Sequence, residues 1–148
     1  MSTRMRALSI RQPWAWLIVN GHKPLVNQTW PTQHRGDLLI HAGQVFDHEG
    51  LLRVMQSFPG LRAVLPEQYD LGGIVGRAQL VACVEHHESR WFTGPYGFVV
   101  HDPRPLPFVR WRGELGIFSV PMSDALHASL HFNDPAAAEA AGQNRLFG

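Results

Sequence analysis

Apolar positions along this chain follow two rhythms. Most stretches alternate or run together as strands do, and two repeat at three and four residues as helices do. Ala7 to Ile10 predicts a short strand. Pro13 suits the first turn of a helix, where its missing N–H costs nothing. Trp14, Leu17 and Ile18 share a helical face, and Gly21 suits the left-handed turn that closes it. Leu25 to Trp30 and Asp37 to His41 predict two further strands. Asp47 has the chemistry of an N-cap, and Phe46 and Leu51 flank it at hydrophobic-staple spacing. That helix takes in Leu51, Leu52, Val54 and Met55 and stops before Pro59. Gly60 to Asp70 reads as irregular. Ile74 to Glu85 predicts a long strand, and Phe98 to Val100, Phe108 to Trp111 and Ile117 to Val120 predict shorter ones between Gly and Pro turns.

Many strands, few helices and no strand–helix alternation exclude a doubly wound sheet. The pattern implies an α+β fold: a small, curved, mainly antiparallel β-barrel with two or more short helices inserted early. Residues 1–121 carry it. Residues 122–148 read as a C-terminal extension, partly helical, as Ala-rich Pro135 to Ala141 allows, or mobile.

Composition narrows the class only modestly. The 148 residues suit one domain, and 45% hydrophobic against 17% charged content is that of an ordinary globular chain. The apolar runs are too short to span a bilayer, and the first residues do not form a signal peptide. The single cysteine, Cys83, sits in an apolar run and reads as a buried thiol. Cytoplasmic residence is the expectation, with no membrane partner. The net charge of +1 conceals segregation. Residues 1–41 hold five Lys or Arg against one acid, and residues 90–112 hold four Arg against one. If those segments share a face, that face suits phosphate, with Arg104, Arg110 and Arg112 as its contacts; the plain alternative is scattered surface arginine.

The chemistry concentrates near the start. Arg11, Gln12, Trp14, Lys23, Asn27, Gln28 and Trp30 crowd polar and aromatic groups into twenty residues, and His41 follows. The amides of Gln12, Asn27 and Gln28 both donate and accept, as a base edge requires, or serve as caps and turns. Trp14 and Trp30 can stack on a base or pack in the core. Lys23 has three readings: a cation that meets a ligand, an amine left partly neutral by desolvation and so able to act as base or nucleophile, or a solvated surface charge. Trp91, Phe92 and Tyr96 form an aromatic loop that suits a stacking platform or a barrel-closing cluster. Nine histidines invite a metal, but His86 and His87 are adjacent and no ligand spacing appears, so neither a metal nor a cofactor is expected.

Three blocks in order resemble the ASCH domain family, within the PUA-like superfamily, over roughly residues 7–120. The first is Leu8-Ser9-Ile10-Arg11-Gln12-Pro13-Trp14-Ala15 with Ile18, Gly21 and Lys23, then Trp30, Arg35-Gly36 and Ile40-His41-Ala42. The second is Gly73, Val75-Gly76, Trp91-Phe92, Gly94 and Tyr96-Gly97-Phe98; the third is Pro105-Leu106-Pro107, Gly113 and Gly116. The resemblance implies a PUA-like β-barrel with a cleft that binds RNA or a nucleoside, lined by Arg11, Gln12, Trp14, Lys23, Asn27, Gln28, Trp30, Arg35, His41, Trp91 and Tyr96. It also admits catalysis. One branch hydrolyses the acetyl amide of 4-acetylcytidine, using a Gly-x-Lys motif, a Thr three residues on and a later Glu, and ribonuclease activity is associated with the family.

Gly21-His22-Lys23 fits that motif, but Val26 stands at the Thr position and Gln28 where an Arg is usual. An isopropyl group cannot relay a proton, and His41 is the best substitute. Glu85 and Glu114 match the later Glu by rough position only. Binding of RNA or a modified nucleoside is therefore the leading expectation. A hydrolase (4-acetylcytidine amidohydrolase-like or ribonuclease) with Lys23 as base or nucleophile comes second, and a protein-interaction module third. Gln143-Asn144-Arg145-Leu146-Phe147 also resembles peptides that dock on sliding clamps.

Overall fold

A computed structural model describes residues 3–132, so the stretches 135–141 and 143–147 lie outside the described residues. Six strands and three helices follow one another as β1 (Arg4–Gln12), α1 (Trp14–Val19), β2 (Leu25–Gln28), β3 (Gly36–Phe46), α2 (His48–Ser57), β4 (Gly73–Val84), β5 (Tyr96–Arg110), β6 (Ile117–Pro121) and α3 (Asp124–Leu130). The strands form one sheet in the order β2-β5-β4-β3-β1-β6. Four of its pairings are antiparallel, and β1 with β3 is parallel. The parallel pair follows from connectivity: α1 and β2 intervene, giving the chain room to return in the same direction.

The class is α+β and mainly antiparallel, as the sequence predicts, but the sheet is not closed into a barrel. Its edges, β2 and β6, are short and lie at opposite ends of the strand order. Among the described residues each pairs with one neighbouring strand.

Alternation distributes the core over both faces. Leu8 and Ile10 of β1 and Leu38, Ile40 and Ala42 of β3 join Phe98, Val100 and the α1 residues Ala15, Ile18 and Val19 in one cluster. Ala7 and Leu39 point the other way, to Ile74, Val109, Phe118, Val120 and Leu126 of α3. Because both faces of β1 and β3 are covered, their sequences read as near-continuous apolar runs. Each fully buried Leu or Ile contributes about 1.5–3 kcal/mol.

Asp47 caps α2 as predicted, its side chain accepting from the Gly50 N–H, and the helix ends at Ser57 before Pro59. The predicted pair of strands at 98–100 and 108–111 is in fact one 15-residue strand, β5. Pro103, Pro105 and Pro107 suggested a break. They alternate along a strand whose pairing with β2 ends at Val99, and an uncovered edge tolerates missing N–H groups. Among the described residues no helix is long and apolar enough to cross a membrane.

Candidate functional site

Lys23 follows the turn that ends α1. The amides of His22 and Lys23 both donate to the Leu17 carbonyl, and the chain then enters β2. This places Lys23 inside the molecule, only 4% exposed. Its ammonium donates to the Leu25 carbonyl at 2.9 Å and lies 5.4 Å from the Trp14 ring centroid. No carboxylate pairs with it among the described residues. Desolvation by burial lowers its pKa from 10.5 to about 8.

Trp14 is held in turn by α2. Its indole N–H donates to Asp47 Oδ2 at 3.0 Å, while Asp47 Oδ1 accepts from the Gly50 N–H at 2.8 Å. Burial pushes the Asp47 carboxyl up, but these two bonds, with Arg53 and Arg11 nearby, outweigh it and hold the pKa below its ordinary value. Arg53 Nη2 stands 3.8 Å from Oδ2.

The opposite wall comes from the end of α2 and the loop before β5. Phe58 and Trp91 stack with centroids 3.9 Å apart and planes 7° from parallel. Arg90 donates to the Ser57 carbonyl at 3.0 Å and lies 4.5 Å from the Phe58 ring. Asn27 of β2 fastens this loop. Its Nδ2 donates to the Trp91 carbonyl at 2.9 Å, and its Oδ1 accepts from the Thr93 and Gly94 amides at 2.9 and 3.2 Å.

Between these walls lies a cleft of about 560 Å³, within the range usual for small-ligand sites. Arg11, Lys23, Arg53 and Arg90 face a single carboxylate, Asp47, so the cleft favours an anion. Of the residues the sequence singles out, Arg11, Trp14, Lys23, Asn27, Gln28 and Trp91 line it. Asn27 spends its amide on the loop. Gln28 has no side-chain hydrogen bond among the described residues, which leaves its amide available to a ligand.

Other candidates lie elsewhere. Gln12 is buried, accepting from the Trp16 amide at 2.8 Å and donating to the Asp70 carbonyl at 3.1 Å. Trp30 meets Phe98 edge-on at 5.1 Å, and both Trp30 and Tyr96 pack on the core. Arg35 is exposed and donates to the Thr32 and His34 carbonyls. Arg104 lies on β5 opposite Arg77. His41 is buried: its Nε2 donates to the Trp111 carbonyl at 2.6 Å, and its Nδ1 lies 3.0 Å from Ser9 Oγ. It therefore does not stand in for the missing polar group at Val26, which lines the cleft as a buried side chain. Glu85 is exposed outside the cleft, and Glu114 borders a second groove with Arg110 and Arg112. The sequence reading misses Arg53, Phe58 and Arg90. Arg53 lies on a helix the pattern predicts, and Arg90 precedes the flagged Trp91, so the signals were adjacent but nothing local joined them to Lys23.

A cleft lined by four cations and one carboxylate thus lies beside an open, mainly antiparallel sheet. Residues 8–105 match the ASCH domain, and the chain belongs to that family. It is 27% identical to human activating signal cointegrator 1 over 114 residues, 67% of this chain and 19% of that protein. The mouse protein of the same name is 31% identical over 88 residues, 55% of this chain and 15% of that one. The chain thus spans under a fifth of either relative. Among solved structures, ASCH from Zymomonas mobilis is 14% identical with a TM-score of 0.48, over 84% of this chain and 92% of that one.

Proposed function

We propose that the cleft binds RNA or a nucleoside of RNA. The observation that carries this reading is Lys23: a cation buried at the cleft without a carboxylate partner, flanked by three arginines. An ammonium taken out of water without a counterion is costly, and a phosphate would supply the missing partner. Trp14 and Trp91 offer ring surface to a base, a contact worth about 1–3 kcal/mol. Gln28 supplies the amide that a base edge can both donate to and accept from.

A second reading rests on the same lysine. With a pKa near 8, an appreciable fraction of the amine is neutral at mildly alkaline pH, and a neutral amine can act as base or nucleophile on an acyl carbon. One experiment separates the two. Protein and its Lys23→Ala variant are incubated with 4-acetylcytidine and with a short RNA, and products and bound fractions are followed by mass spectrometry. Retention of intact RNA by the protein and its loss in Lys23→Ala is the expected result. Lys23-dependent deacetylation or strand cleavage would establish the hydrolase instead, and unchanged retention by Lys23→Ala would remove the cleft from both readings.

A further inference from the structure

We infer that the ligand is a single strand of RNA several nucleotides long, not a free nucleoside, because the cleft and a second cationic groove share Ser9 as a border. This inference rests on the cleft reading above. Ser9, on β1, borders both spaces. Beyond it lies a groove of about 710 Å³, between the end of β3, the start of β4 and the segment that follows β5.

The boundary between the two is fixed. His41 joins Ser9 Oγ on one side to the Trp111 carbonyl on the other, at 3.0 and 2.6 Å. A carbonyl only accepts, so Nε2 carries a proton, and Nδ1 shares a hydrogen bond with the Ser9 hydroxyl. Gly113 presses its backbone onto this junction: a Cβ there would lie 2.8 Å from the His41 ring and 3.1 Å from Ser9 Oγ. The 110–113 segment is thereby held beside Ser9, and it brings Arg110 and Arg112 to the groove on one rigid backbone.

Both arginines are exposed, and neither has an ion-pair or hydrogen-bond partner among the described residues. Trp111 lies between them and is partly exposed. Glu114 is the one carboxylate on the groove. A free nucleoside in the cleft leaves Arg110 and Arg112 idle. A strand seated in the cleft and passing Ser9 delivers successive phosphates to both, which is the contact arginine makes best. The chain's uneven charge thus marks a path.

The test uses the full chain, its Lys23→Ala variant and the double variant Arg110→Gln/Arg112→Gln. The probes are cytidine monophosphate and an oligocytidine RNA of about eight nucleotides, a length within the reach of one small domain. At low salt the oligonucleotide should bind at least about tenfold more tightly than the mononucleotide. The double variant should remove most of that gain and flatten the plot of log affinity against log salt by about 0.7 per lost phosphate contact. Its affinity for the mononucleotide should stay unchanged. Equal affinities for the two probes, with the double variant indifferent, would overturn the path and leave the cleft standing. Oligonucleotide binding lost in the double variant but untouched in Lys23→Ala would confine the strand to the groove and overturn the shared path as well. Mononucleotide binding untouched by Lys23→Ala would instead overturn the cleft reading, and failure to bind either probe would overturn both.

Discussion

Lys23 opposes the stability of the fold that holds it. Its amine loses its proton near pH 8 when folded and near 10.5 when unfolded. Between those values the unfolded chain binds more protons, so stability rises with pH across that window. Well below pH 8 the whole penalty is present, on the order of 3 kcal/mol. Lys23→Met, which keeps the aliphatic stem and drops the charge, should therefore raise the melting temperature at pH 7 and flatten the dependence between pH 8 and 10.5. Thermal unfolding followed across pH would show it, and an unchanged pH profile would mean the amine is hydrated after all. The position of this residue just past a helix stop was legible in the sequence, but its burial was not. The roles of Gln12, Asn27 and His41 were not. All three are read as ligand contacts, yet each bonds to a segment between 32 and 70 residues away along the chain. Side-chain chemistry tells what such a residue can bond to, but only the fold tells what lies within reach.

At the level of elements, α1, α2 and β4 follow directly from periodicity and caps, because their signals are local. β5 does not. Its prolines are breakers by rule, and the strand continues because, among the described residues, no strand pairs with that side beyond Val99. α3 begins at a Ser123 cap, with the Leu126 amide donating to the Ser123 hydroxyl at 3.1 Å. Its apolar signal is Leu126 and Leu130, which pack on the second face of the sheet, and two residues carry little periodicity. The loop from Ser89 to Gly94 shows most clearly how elements build the site. It has no strand of its own and depends on β2 through Asn27. Asn27→Ala removes three hydrogen bonds and should cost about 2 kcal/mol. Faster hydrogen exchange at Thr93 and Gly94, together with weaker ligand binding, should accompany that loss. Chemical denaturation and exchange measurements check both, and full protection in the variant would show that the Phe58–Trp91 stack suffices alone.

Over the whole molecule, the two hydrophobic clusters flank one sheet, and Arg11 and Lys23 of the first basic segment meet Arg90 of the second in the cleft. The segregation of charge was plain in the sequence, but the meeting place was not, since Arg11, Arg53 and Arg90 are brought together by three different elements. Ligand binding should therefore stabilise the entire fold and not one loop. Saturating RNA should raise the melting temperature by about 5 °C, the order expected when a ligand stands well above its dissociation constant. The rise should vanish in Lys23→Ala and shrink as salt is added, and a salt-independent shift would argue against phosphate contacts.

The burial of Lys23 has one more consequence, for heat. An anionic ligand that settles beside the amine restores its affinity for a proton. Above pH 8, where the empty cleft holds an appreciable share of neutral amine, each binding event must then draw protons from the surrounding buffer. Calorimetric enthalpies measured in buffers of different ionisation heat should diverge at pH 8.5 and converge at pH 6, making the cleft its own proton counter.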